Sequence, residues 1–272
     1  MTQNSQYTPP VVIYTDPELK QQATIIAERL QTIVCGSSDP DLTQSHSGQL
    51  SLLPDPSGEP EEFLLKLTII TADSSLSHQI DFNSNRMSHR KVHGGGKDQE
   101  LVRACGLKKN RDLRILDATA GLGTDSFVLA CNTAQITMAE QHPVLAIMLE
   151  NALLAASRVP ALSDIVSRMQ FIPGNSLDLL NSPDISKRFD VVYLDPMYPL
   201  RKKNSAKVKK EMQIVQHLSH NYPNQGDQLL QSALESGVKR IVVKRPSGAE
   251  PLLQLKPHST IKSVNTRYDL YI

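Results

Sequence analysis

Four consecutive residues, Asp195, Pro196, Met197 and Tyr198, close the apolar run 189–194. They bring a carboxylate, a rigid ring and an aromatic face to one place. That set suits gripping a planar base by its exocyclic amino group. Such a nitrogen is a poor nucleophile, because its lone pair is delocalised into the ring. The Asp195 carboxylate and the Pro196 backbone carbonyl can hold its two N–H bonds, aim the lone pair at a methyl group carried on a sulfonium, and stabilise the positive charge that develops. Tyr198 can stack on the base, a contact worth about 1–3 kcal/mol. Taken alone, the same residues read more plainly as an Asp-Pro turn beside a buried tyrosine.

A second group lies upstream. Residues 115–117 read as a strand that runs through Asp117 into Gly121 and Gly123, then into a helix beginning near Thr124 and Asp125. Glycines at such a turn let the backbone bend sharply and approach a ligand. An acid, Glu140, ends the next strand, at the position about 20 residues on where doubly wound folds bind ribose hydroxyls. Asp117 stands before the glycines, as in many methyltransferases, where such an acid lies near the methionine part of S-adenosylmethionine. Asn175 and Ser176 follow the third strand; they read equally well as contacts to an adenine edge and as a helix cap. A nicotinamide dinucleotide site competes, with Ser126 in the third small position, but no hydride-transfer constellation follows it.

These groups need a scaffold that ends its strands at one edge. From residue 111 the pattern alternates, with strands at 114–118, 135–139, 169–173, 190–194 and 240–244 and helices at 124–131, 143–157, 176–181, 205–220 and 227–236. Residues 260–263 and 268–272 read as a closing antiparallel pair. The expected fold is α/β, a doubly wound, mostly parallel seven-stranded sheet of Rossmann-like type. The expected domains are a small N-terminal α/β module (1–85), a bridge and helix (86–110) containing three consecutive glycines, and a methyltransferase domain (111–272). In the module, 11–14 reads as a strand, Asp16 caps a helix to about Ile33, 36–61 is loop with a strand at 49–53, and 63–72 is a strand with 78–82 beside it.

Composition narrows the partners. The 272 residues are 39% apolar and 21% charged, with no run long enough to span a bilayer and no leader-like N-terminus. Three scattered cysteines, Cys35, Cys105 and Cys131, favour neither disulfides nor zinc and fit a reducing cytoplasm. The histidine pairs His89/His93 and His217/His220 lack acidic companions, so no metal is expected. Residues 1–85 hold 11 acidic and 3 basic side chains, net −8, whereas 86–272 hold 17 and 26, net +9. The basic half suits a polyanion. Arg201, Lys202, Lys203, Lys207, Lys209 and Lys210 follow the acid-proline segment directly and read as phosphate contacts for RNA. Lys244 and Arg245 are further candidates for that surface.

The segments 117–123 (DATAGLG), 193–199 (YLDPMYP), 207–212 (KVKKEM) and 242–246 (VVKRP) together resemble the RsmJ family of bacterial 16S ribosomal RNA guanine-N2 methyltransferases. The likeness covers residues 86–272 well and the N-terminal module loosely. It implies a class I S-adenosylmethionine fold, a small-subunit ribosomal RNA substrate and cofactor contacts at Thr124, Asp125, Glu140, Gln141, Asn175, Ser176 and Asp195. The family commonly has Arg where this chain has Thr124 and Gln141, so contacts there fall to the backbone. Alternatives are an amino methyltransferase acting on adenine N6 of DNA or another RNA, and a non-catalytic RNA-binding assembly factor.

Overall fold

A computed structural model describes residues 8–39, 48–56, 59, 62–70, 74–85, 87, 99–110, 112–197, 210–219 and 225–272. The strands are β1 (Val11–Tyr14), β2 (Val34–Gly36), β3 (Gly48–Pro54), β4 (Phe63–Ile70), β5 (Ser75–Gln79), β6 (Arg114–Asp117), β7 (Gln135–Glu140), β8 (Met169–Pro173), β9 (Val191–Leu194), β10 (Ile241–Pro246), β11 (Ser259–Lys262) and β12 (Thr266–Tyr271). The helices are α1 (Lys20–Leu30), α2 (Glu100–Ala104), α3 (Thr124–Cys131), α4 (Pro143–Ser157), α5 (Pro160–Val166), α6 (Ser176–Leu180), α7 (Ile185–Arg188), α8 (Lys210–Ser219) and α9 (Gly226–Glu235). Two compact units form, and neither is one continuous stretch. One takes Met1–Asp81, His142–Ala155 and Lys203–Pro223; the other takes Phe82–Gln141, Ala156–Lys202 and Asn224–Ile272.

The first unit holds a five-stranded sheet in the order β2-β1-β3-β4-β5. Asp16 caps as expected: its Oδ1 accepts the Glu18 N–H at 3.0 Å, and Pro17 opens a short 3-10 turn that leads into α1. The helix stops at Leu30 rather than near Ile33, because Gln31 turns left-handed with φ 53°. The β-branched run after it leaves the helix, and Val34–Gly36 pairs in parallel with β1, a strand the sequence reading placed partly in loop. The partner of β4 is Ser75–Gln79 rather than 78–82. That partner reaches only Lys66, and Asn151 of α4 serves the stretch before it. Its amide nitrogen donates to the Phe63 carbonyl at 2.9 Å and its oxygen accepts from the Leu65 N–H at 3.1 Å.

The second unit holds a seven-stranded sheet in the order β11-β12-β10-β9-β6-β7-β8. β10, β9, β6, β7 and β8 run parallel, while β12 is antiparallel to β10 and β11 to β12. Ile115, Leu116, Val191, Val192, Val242 and Val243 are buried, as central strands covered on both faces require. The short helices α5 and α7 were not foreseen; Pro160 opens α5 at its first turn. The chain builds outward from β6 through β7 to β8, then returns to lay β9 and β10 on the other side of β6. Strand order therefore reverses between β6 and β9, the kind of place where open α/β sheets bind ligands beyond their strand ends.

Candidate active site

At the carboxyl end of β6 the loop 118–123 is stitched to both neighbouring strands. The Ala118 N–H donates to the Tyr193 carbonyl at 3.0 Å and the Ala120 N–H to the Ala139 carbonyl at 3.1 Å. Gly121 and Gly123 lie at φ 53° and 69°, the left-handed region that a side chain disfavours. The Gly121 N–H donates to Glu140 Oε2 at 2.8 Å, so the acid ending β7 holds the glycine turn directly. Gly123 stands at the start of α3, and no side chain caps that first turn. The turn thus combines left-handed backbone, a first helical turn with no side-chain cap and an acid on the adjacent strand, a combination that suits a nucleotide-type ligand.

Asp117 is 1% exposed. Its Oδ1 accepts the Thr119 N–H at 3.1 Å and its Oδ2 accepts the Ser126 hydroxyl at 2.5 Å. Burial pushes this carboxyl up to about 7; the two hydrogen bonds pull it down, and Asp125 and Asp195 add to the rise. Asp117 thus ties the glycine loop to the helix that follows it.

Opposite, at the end of β9, the Asp195 N–H donates to Thr119 Oγ1 at 2.6 Å. The Asp195 Oδ2 accepts from Lys244 Nζ at 2.8 Å, and the same ammonium donates to Asp125 Oδ2 at 2.7 Å. Tyr193, buried in β9, also donates its hydroxyl to Asp125 Oδ2 at 2.7 Å. Burial alone would lower the Lys244 ammonium, but Asp195 and Asp125 outweigh it and raise its pKa. Burial lifts the Asp195 carboxyl above the usual range; Lys244 opposes that and Asp125 reinforces it. Among the described residues nothing donates to Asp195 Oδ1, and the side chain is 38% exposed. The site therefore presents one open carboxylate oxygen, its twin locked by a lysine.

The structure gathers Asp117, Gly121, Gly123, Asp125, Glu140 and Asp195 at the strand ends of one unit. Thr124 and Gln141 occupy the adjoining positions, at the first turn of α3 and just past β7. Asn175 is a helix cap: its Oδ1 accepts the Leu177 N–H at 3.0 Å. Ser176 donates its hydroxyl to the Ala118 carbonyl at 2.6 Å, which ties the end of β8 to the glycine loop. Pro196 is buried, and Tyr198, Arg201, Lys202, Lys203, Lys207 and Lys209 lie outside the described residues. Lys210 opens α8, and its side chain lies outside them too. Lys244 is an ion-paired member of the acid cluster rather than the phosphate contact the sequence suggested. Thr119 and Tyr193 carry no site role in the sequence reading, and Ser126 enters it only as the third small residue of the loop. Their signal was weak, since hydroxyls next to a glycine loop or inside an apolar strand are common.

A family model for SAM-dependent methyltransferases matches residues 42–272. A protein named ribosomal RNA small subunit methyltransferase J from Thioalkalivibrio sulfidiphilus is 36% identical over 95% of this chain and 96% of its own length. One of the same name from Colwellia psychrerythraea is 43% identical over 71% of this chain and 70% of its own. The crystal structure of a SAM-dependent methyltransferase from Neisseria gonorrhoeae superposes with a TM-score of 0.67 at 27% identity, covering 96% of this chain and 95% of that one.

Proposed function

This chain belongs to the ribosomal RNA small subunit methyltransferase J family of S-adenosylmethionine-dependent methyltransferases, and from that premise we propose that it methylates the exocyclic N2 amine of a guanine in 16S ribosomal RNA. The observation that carries the reading is the open Oδ1 of Asp195, beside the glycine loop.

The left-handed turn at Gly121 and Gly123, the uncapped start of α3 and the acid at the end of β7 fit the cofactor. Bound S-adenosylmethionine supplies a methyl group on a sulfonium: the amine's lone pair bonds to the methyl carbon while the C–S bond breaks and its electron pair stays on sulfur. Glu140 is the residue for the ribose hydroxyls, Asn175 and Ser176 stand where an adenine edge is expected, and Thr124, Asp125 and Gln141 complete that wall. Asp195 Oδ1 accepts one amine N–H and the Pro196 carbonyl the other. This directs the lone pair, stabilises the positive charge on nitrogen and gives the departing proton an acceptor. Alignment of this kind is worth roughly 7–11 kcal/mol. Tyr198 is assigned to stack on the base, which has to leave its own stack first. The basic residues from Arg201 to Lys210 are assigned to phosphates, so binding should weaken with salt.

The test is methyl transfer from labelled S-adenosylmethionine to small ribosomal subunits, naked ribosomal RNA and duplex DNA, with wild type beside Asp195→Ala. Label recovered as N2-methylguanosine in 16S RNA, lost in the variant, is expected. Label in adenine or in DNA would overturn the substrate, and a fully active variant would overturn the role of Asp195.

A further inference from the structure

The residue that holds Asp195 lies on the neighbouring strand. β10 pairs in parallel with β9, and Val243 stands opposite Leu194. One step further along both strands sets Lys244 beside Asp195. The same ammonium reaches Asp125, which the first turn of α3 delivers from the other side. Three elements thus converge on one positive charge, and two carboxylates share it. Tyr193 adds a hydroxyl to Asp125, which fixes the far post of the arrangement. The titratable and charged groups whose charges influence Asp195, or are influenced by it, are Lys244 and Arg245 from β10, Asp125 from α3, Asp117 from β6, Tyr193 from β9 and Tyr268 from β12.

We propose that Lys244 is a positioning residue for the transfer step: it clamps Asp195 Oδ2 against Asp125, which aims Oδ1 at the amine and keeps the carboxylate in its accepting, ionised form. This rests on the function proposed above. The physical reason is that carboxylates clustered in a partly desolvated site cannot all stay ionised without a nearby cation. Remove the ammonium and the favoured outcome is a proton on Asp195 or Asp125. A protonated Asp195 offers a donor where the amine needs an acceptor. The side chain also loses its one tether among the described residues and can rotate about χ1 and χ2. Lysine, a compact charge with several rotatable donors, can serve two carboxylates at once.

The experiment compares wild type, Lys244→Met, Lys244→Arg and Asp195→Asn in methyl transfer to small ribosomal subunits. Transfer is measured across pH, alongside calorimetric binding of S-adenosylmethionine and thermal melting. Lys244→Met keeps the length of the side chain and removes the charge. We expect its kcat to fall about 100-fold, the loss that follows an ångström-scale misplacement of a reacting group. KM for the subunit should change little. The acid limb of the pH–rate profile should move to higher pH, because the cation opposing protonation is gone, and Lys244→Arg should recover part of kcat and restore the limb. A merely structural lysine would lower the melting temperature without moving that limb. Lys244→Met with wild-type kcat and pH profile, or with only a raised KM and a shallower salt dependence, overturns the proposal. If Lys244→Met is unfolded, the decision falls to Lys244→Gln, which also removes the charge: an acid limb moved to higher pH in a folded protein supports the clamp, and an unshifted limb with normal kcat overturns it. Failure of the underlying reading looks different: wild type itself then methylates no ribosomal RNA, or Asp195→Asn remains fully active.

Discussion

Thr119 Oγ1 accepts the backbone N–H of Asp195 at 2.6 Å, across 76 residues of sequence. The glycine loop and the acid-proline loop are therefore pinned to each other by one hydroxyl. Thr119→Val keeps the shape and deletes the acceptor. It is expected to lower stability by about 1–2 kcal/mol, the cost of leaving one part-buried donor without a partner, and to reduce kcat more than cofactor affinity. Thr119→Ser should restore both. Chemical denaturation and steady-state transfer assays of the two variants decide it.

Glu140 holds the Gly121 N–H and is assigned to the ribose. Glu140→Ala removes both interactions. Cofactor affinity should drop by roughly 10–100-fold, since hydrogen bonds to a charged group are worth about 1.5–3 kcal/mol. Glu140→Gln, which keeps an acceptor for Gly121, should lose less. Titration calorimetry with S-adenosylhomocysteine measures both.

Asp117 gives a pH dependence of known sign. Its carboxyl is pushed up to about 7 in the folded chain from an ordinary value of 3.8, chiefly by burial. Between those values the folded state binds more protons than the unfolded one. Its contribution to stability is therefore greatest below the unfolded value and is lost as pH rises through the folded one. The slope within that window approaches roughly 1.4 kcal/mol per pH unit for a single group. Asp117→Asn can still accept from the Thr119 N–H, and it should flatten the stability profile between about pH 4 and 7. Urea unfolding at a series of pH values tests it; an unchanged slope would remove Asp117 as the source.

Arg267 and Asp269 form a buried pair on β12. The guanidinium meets both Asp269 oxygens and donates to the Pro246, Ser247 and Ala249 carbonyls, which fixes the turn after β10. Arg267→Met strands a carboxylate that is 1% exposed. A loss of about 3–5 kcal/mol is expected. The double variant Arg267→Met with Asp269→Leu should be milder, because no lone charge is then buried. A double-mutant cycle by denaturant unfolding separates the pair from its members.

The sequence by itself determined the parallel sheet, the glycine turn and the acid at the end of β9. Each is written locally: apolar runs such as 191–194 suit strands buried on both faces, glycines mark left-handed backbone, and an acid that ends such a run is carried to the strand's carboxyl end. Asn175 stayed ambiguous for the same reason, because one dipeptide serves as cap and as ligand contact, and the observed cap bond to Leu177 shows the first of these. What only the tertiary structure decided is which distant groups meet. Lys244 lies 49 residues from Asp195 in sequence and 2.8 Å from it in space. It sits there because β10 is laid beside β9 in one register, and strand order and register are set by packing between elements rather than by the pattern within any one of them.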